Sequence, residues 1–226
     1  MTVEIVGLYL YAYLIGSVPT AYLIARLVRG IDIRCYGSGN IGGTNLVQHV
    51  GKCWLIPLGV FEVFIKGGSP VVIGHYILGL ERGSAELIIA PLLAVAGHNW
   101  SMFLKFQGGR GLAVAGGTLL ALSPMVLAGF LAVFLVGWLI TRSSGVWTLL
   151  ALALLPLWSV IVNEPSVVTW YCVGIIVLII LKRLLSNWTP LPQDLPRTKV
   201  LFNRLFLDRD VSDRSEWVSR VPEKVK

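Results

Sequence analysis

The chain has 226 residues, 55% of them hydrophobic and only 14% charged, with a mean hydropathy of +0.75. That balance excludes an ordinary soluble globule, whose surface needs roughly 25–35% charged residues, and points to a polytopic all-α membrane protein whose helices face lipid. The net charge of +7, from 19 Lys and Arg against 12 Asp and Glu, is divided between short loops and a polar tail, which argues against a nucleic-acid partner.

A membrane-crossing helix needs about 20 apolar residues, and the first such stretch runs from roughly Ile5 to Val28. Glu4 precedes it and Arg26 and Arg29 follow, the reverse of a cleaved signal peptide. Further apolar stretches at roughly 54–80, 84–104, 112–122, 125–141, 146–162 and 166–181 bring the expected count to seven crossings. The stretch 112–122 is short and 54–80 is long and charged, so either is a candidate for a broken or re-entrant segment. Basic residues mark the inner loops: Arg34 with Lys52, Lys105 with Arg110, Arg142, and Lys182 with Arg183. By the positive-inside rule the N-terminus lies outside and the C-terminus in the cytoplasm. After Arg183 the composition changes, and residues 182–226 hold ten Lys or Arg and six Asp or Glu. The chain therefore divides into a membrane-embedded domain, 1–185, and a cytoplasmic extension, 186–226, suited to anionic lipid headgroups. Cys35, Cys53 and Cys172 show neither pairing nor metal-ligand spacing and read as free thiols.

Two inner loops carry the chemistry. The first reads GSGNIGGTN from Gly37 to Asn45, four glycines with a Ser, a Thr and two Asn in nine residues. Glycine lets successive backbone N–H groups converge into a concave anion nest, and the short polar side chains add donors. No Gly-Lys-Ser/Thr follows, so this is not a nucleotide P-loop. The second loop, FQGGRG from Phe106 to Gly111, places Arg110 directly before a helix. Backbone N–H groups, the positive helix end and a guanidinium able to grip two oxygens would face one anion. Lys66, followed by Gly67 and Gly68, interrupts an apolar stretch. A lysine at that depth marks either a partner or an anion path, and Glu62 at i−4 is the evident partner. His98 sits within a span about two turns before Lys105. A histidine there serves packing or catalysis.

Read together, GSGNIGGTN, KGGSPV from Lys66 to Val71, and GHNWSMFLKFQGGRG from Gly97 to Gly111 resemble the bacterial acyl-phosphate:glycerol-3-phosphate acyltransferases, the PlsY family. The resemblance covers about the first 185 residues. It implies a seven-span inner-membrane enzyme with its active site facing the cytoplasm. The implied reaction moves an acyl chain from acyl phosphate to glycerol 3-phosphate, giving lysophosphatidate and phosphate without cofactor, metal or acyl-enzyme. It makes Ser38, His98 and Arg110 the candidate catalytic residues. Gly37, Gly39, Asn40, Gly42, Thr44, Asn45 and Gln48 become substrate-binding candidates in the first loop, Lys66 and Gly67 in the second motif, and Gly108, Gly109 and Gly111 beside Arg110.

This chain departs from the family pattern at several positions. Gln48 stands where an Arg is usual, Val63 where an acid is usual, Ser101 for a Pro, Arg110 for a Lys, and Val114 for a Thr. The third motif, a His-Arg-Glu-Asn-Ile stretch after the last span, is absent. Asn203, Arg204 and Leu205, with Asp208 beyond, resemble its Asn and Arg-Leu core, which makes Asn203 and Arg204 the remaining substrate-binding candidates. Two competing readings stand beside the enzyme: a non-catalytic homologue, and a transporter of a phosphorylated metabolite or lysolipid, to which Gly-rich breaks and intramembrane charges are equally suited. A transporter is expected to show paired inverted halves, and the sequence shows none. Oligomeric state and acyl-chain preference are not encoded in any motif.

Overall fold

A computed structural model describes residues 2–188 and 195–213, with Ser215 and Trp217. Among these residues every regular element is helical, and the only β-pairing is an isolated bridge between Ser101 and Gln107. Residues 189–194, 214, 216 and 218–226 lie outside the described residues.

Helix α1 (Thr2–Ser17) and helix α2 (Thr20–Arg29) form one apolar run of 28 residues. Pro19 breaks it, because proline has no N–H and pushes the preceding Val18 out of the helical region. α2 stops at Gly30, whose φ of 68° is the left-handed conformation that glycine tolerates best. The first loop follows, then the short α3 (Gly43–His49) and the long α4 (Lys52–Ile77). α5 (Ala85–Asn99) is capped by Ser84, whose hydroxyl accepts from the Leu87 N–H. The second loop leads to α6 (Leu112–Leu122), and Ser123 caps α7 (Pro124–Thr141) in the same way. α8 (Ser144–Ala153) and α9 (Leu155–Ile161) are bent by 44°; Pro156 in the first turn of α9 cannot donate back across the break. α10 (Ser166–Leu185) ends the bundle, and α11 (Arg197–Phe202) continues as a wide π turn over Asn203–Leu207.

Each of the seven apolar stretches is thus helical, but they differ in reach. Four runs are long and apolar enough to cross a bilayer, and a fifth qualifies if the bent α8–α9 pair counts as one. α5 and α6, at 15 and 11 residues, extend only about 22 and 16 Å against a hydrocarbon core of about 30 Å. The stretch 54–80, a candidate for a break, is one continuous helix; the breaks fall at Val18–Pro19 and at Leu154 instead. In α4 the ladder widens into a π turn over Phe61–Gly68, just before Pro70, whose ring would collide with the carbonyl four residues earlier in a regular α-helix.

Two hydrophobic cores hold the bundle. The larger joins Leu8, Leu87, Val95, Val114, Leu119, Tyr171 and Ile175 from α1, α5, α6 and α10. The smaller joins Ala21, Ala25, Ile33, Ile41, Leu46, Leu58 and Leu104 and fastens α2, both loops, α3 and the start of α4 to one another. Backbones approach closely where glycines permit it: Gly16 packs on the Ala94 carbonyl, Gly97 on the Tyr13 carbonyl, and Gly67 and Gly117 seat α4 against α6. The outer surface is apolar, with Val3, Phe64, Tyr76, Ile140 and Trp170 exposed, as lipid-facing helices require.

Candidate active site

The two glycine loops meet at one end of the bundle. Arg34, in the first, is chelated by Asp32 at 2.6–2.9 Å and donates through Nη1 to Gln107 Oε1 of the second at 3.0 Å. That hydrogen-bonded guanidinium holds the Asp32 carboxyl below its usual range, and the carboxylate in turn raises Arg34. Inside the first loop, Asn45 Nδ2 lies 3.0–3.1 Å from the carbonyls of Ile33, Tyr36 and Asn40, and Ser38 Oγ accepts from the Asn40 N–H at 3.2 Å. Gly37 and Gly39 adopt φ of 50° and 66°, the left-handed bends that turn the loop back on itself. Thr44 and Gln48 are exposed on α3.

In the second loop, Gly108 and Gly109 are irreplaceable for want of room. A Cβ on Gly108 would strike the carbonyls of His98 and Asn99, and one on Gly109 would strike His98 Nε2 and the Ile41 carbonyl. The glycines therefore let the histidine ring and the first loop lie directly on the second. Gly111, at φ 75°, opens α6. Arg110 is buried, with Nη1 donating to the Lys182 carbonyl at 2.8 Å and Nε 2.8 Å from Asp208 Oδ1. With its amide oxygen turned inward, Asn40 Oδ1 accepts from Arg110 Nε and Nη2 at 3.2 Å.

Beside the loops, the π turn of α4 presents Glu62 and Lys66 to His98 of α5. Glu62 Oε1 lies 2.7 Å from Lys66 Nζ, and its Oε2 lies 2.7 Å from His98 Nδ1. Lys66 Nζ is 3.4 Å from the same ring nitrogen. A proton on Nδ1 facing the carboxylate leaves His98 Nε2 as the acceptor next to Gly109. These three side chains line a narrow cleft of about 10 Å³ together with Ser17, Thr20, Ile41 and Gly109. Among the described residues no group of three His, Cys, Asp or Glu stands close enough to hold a metal ion.

The end of α10 ties both loops together. Asn187 accepts on Oδ1 from the Gly108 N–H at 2.9 Å and from Lys182 Nζ at 2.5 Å, while its Nδ2 donates to the Gly108 and Gly39 carbonyls at 3.0 and 3.4 Å. Lys182 Nζ also donates to the Asn99 carbonyl. Of the sequence candidates, Asn40, Lys66, His98, Gly108, Gly109 and Arg110 come together. Gly67 is packed against α6 instead. Asn203 and Arg204 brace the chain after α10: Asn203 Nδ2 donates to the Asp210 carbonyl, and Arg204 pairs with Asp210 at 2.5 Å and donates to the Leu184 carbonyl at 3.0 Å. Sequence reasoning missed Lys182 as more than an inner-loop cation, and missed Asn187 altogether. Its only signal was an Asn just beyond a basic span end.

Buried cations and glycine-rich bends at one end of lipid-facing helices define an all-helical membrane protein with a basic, glycine-lined site. The chain matches the family described as Glycerol-3-phosphate acyltransferase over residues 6–191 and belongs to it. Among its relatives, Glycerol-3-phosphate acyltransferase 4 of Dehalococcoides mccartyi is 37% identical over 215 residues, covering 92% of this chain and 90% of the relative. Glycerol-3-phosphate acyltransferase 2 of Moorella thermoacetica is 40% identical over 155 residues, covering 68% and 77%. The fold matches the crystal structure of PlsY (YgiH), an integral membrane glycerol 3-phosphate acyltransferase, in its glycerol 3-phosphate form. The TM-score is 0.73 at 32% identity, over 80% of this chain and 88% of that one. The lysophosphatidic acid form of PlsY matches at 0.71 and 31% identity.

Proposed function

We propose that this protein transfers an acyl chain from acyl phosphate to a hydroxyl of glycerol 3-phosphate, releasing lysophosphatidate and inorganic phosphate for phospholipid synthesis. The observation that carries this reading is the convergence of both glycine loops, Arg110 and the Glu62–Lys66–His98 triad at one end of an apolar bundle. Both substrates carry phosphate and one carries a lipid tail, so the reaction needs anion binding beside hydrocarbon. In the bacterial inner membrane this end faces the cytoplasm, with seven helical passes placing the N-terminus outside.

Acyl phosphate is already activated. The glycerol hydroxyl attacks the acyl carbon, a tetrahedral oxyanion forms, and collapse breaks the bond to phosphate, which leaves with the hydroxyl proton. The protein aligns the reactants and stabilises the developing charge. Arg110 clamps the acyl phosphate with the N–H groups beside Gly109 and Gly111, a bidentate grip that a lysine would not give. Ser38 and Asn40 hold substrate on the first loop. Lys66, fixed by Glu62, and His98 line the adjoining cleft with Gly108 and Gly109.

Incubation of the purified protein with acyl phosphate and glycerol 3-phosphate is expected to yield lysophosphatidate and phosphate in equal amounts. Absence of product, with uptake of a phosphorylated solute into vesicles, would replace the enzyme by a carrier.

A further inference from the structure

The donors that the reading above gives to phosphate are already in use. The Arg110 guanidinium is 9% exposed, and the Asp208 carboxylate stands 2.8 Å from its Nε. Arg183, 1% exposed, brings its Nε to 3.8 Å from the same oxygen. Lys182, fully buried, lends its carbonyl to Arg110 and lies alongside. Two buried guanidinium groups thus share one carboxylate among the described residues, since Asp210, the next acid along, is taken by Arg204.

Asp208 differs from its partners in two ways. Its side chain is 23% exposed, against 9% and 1% for Arg110 and Arg183, so it covers the outer side of the guanidinium, from which a soluble anion arrives. Its backbone has a φ of 59° at the end of the π turn, a left-handed bend that a short acidic side chain tolerates. Its Oδ1 is buried, close to both guanidinium groups, yet makes no well-aligned hydrogen bond. A carboxylate present at a buried cation cluster, partly exposed and not well bonded, is poised to be replaced. Phosphate oxygens compete for the same planar fork of donors.

We propose that Asp208 sets the phosphate affinity of this site: its carboxylate is an internal occupant of the Arg110 guanidinium, displaced by the phosphate of the acyl donor and returned as inorganic phosphate leaves. The proposal rests on the reading of Arg110 as the phosphate clamp. The segment is anchored at both ends, by Arg204 on the Leu184 carbonyl and Arg183 on the Leu205 carbonyl, and by Asn203 and Arg204 on Asp210, so displacement is confined to residues 206–209. Exchange of one anion for another keeps the buried cations compensated throughout turnover. It also weakens phosphate binding by the fraction of time that Asp208 holds the clamp.

The experiment measures equilibrium binding of radiolabelled inorganic phosphate to the full-length protein in detergent, with the KM for acyl phosphate in parallel. Asp208→Asn and Asp208→Gly are expected to bind phosphate about tenfold more tightly, the factor for a clamp that is free about one-tenth of the time, and to lower KM in step. Arg110→Ala is expected to lose phosphate binding. If both Asp208 variants bind phosphate as the native protein does, or more weakly, while Arg110→Ala loses it, Asp208 is a fixed counter-ion and the proposal fails with the clamp intact. If Arg110→Ala keeps native phosphate binding, the clamp itself is wrong. A readout on the unaltered protein does not depend on any variant folding: saturating phosphate is expected to speed amide hydrogen exchange over residues 206–209, and unchanged exchange there overturns the displacement.

Discussion

Glu62 stands against two buried bases at once, and both depend on its charge. Its two oxygens lie 2.7 Å from Lys66 Nζ and from His98 Nδ1, and all three side chains are nearly inaccessible. Removing one partner from such a cluster leaves charge without compensation, at a cost of about 3–5 kcal/mol. Glu62→Gln is expected to lower the thermal midpoint in detergent and to reduce acyl transfer. His98→Ala leaves the ion pair in place and is expected to reduce acyl transfer with little change in midpoint. Equal loss of stability in both variants would make His98 a packing residue. Arg110→Ala removes the two-pronged grip on phosphate and is expected to cost about 10²–10³-fold in kcat/KM, the scale for losing a preorganised donor to a developing anion. Arg110→Lys keeps the charge without the fork and is expected to fall between, a ranking read directly from steady-state rates.

Elements decide which of these residues was visible beforehand. The Glu62–Lys66 pair was legible because four residues span one helical turn. That His98 completes the cluster was not, since it depends on how α4 and α5 pack, and the π turn of α4 leaves no pattern in a hydrophobic plot. The glycine loops were legible as tight polar bends, but the clamp at Asn187 depends on where α10 stops and on the left-handed turn at Ser186 and Asn187. Gly67 shows a role no motif displays: a glycine beside a motif lysine reads as part of a substrate loop, and it seats α4 on the backbone of α6. There a Cβ would meet the Val114 carbonyl, and a Cβ on Gly117 would meet the Val63 carbonyl. Gly67→Ala and Gly117→Ala each force the two helices apart, and overpacking of this kind costs about 1–3 kcal/mol. Both are expected to lower the thermal midpoint, and the double variant by less than the sum, because one separation relieves both clashes. Additive losses would show that the two glycines serve separate contacts.

At the scale of the whole molecule, the loops sort themselves by end. Arg34 reaches Gln107, Asn187 reaches Gly39, and Arg183 donates to the Gly145 carbonyl at 3.1 Å, so the four basic connections share one end of the bundle. Ser123 donates to Glu164 at 2.5 Å, and Gly83 lies against Pro165, which gathers the connections poor in cations at the other end. Such alternation is what seven successive passes would produce, and it supports them even though α5 and α6 are too short to cross unaided. A short helix is tolerated where its exposed ends meet protein instead of lipid, and the loops flanking α5 and α6 do meet protein. The cysteines turn this into a measurement of orientation. Cys35 and Cys53 are exposed at the basic end, whereas Cys172 is buried in α10. With the basic end in the cytoplasm, a membrane-impermeant maleimide applied to intact cells is expected to leave all three unlabelled. In inverted vesicles it is expected to label Cys35 and Cys53 alone. Labelling of those two in intact cells would place the acyl-transfer cleft on the far side of the membrane from the cell's soluble glycerol 3-phosphate, which the proposed reaction does not permit.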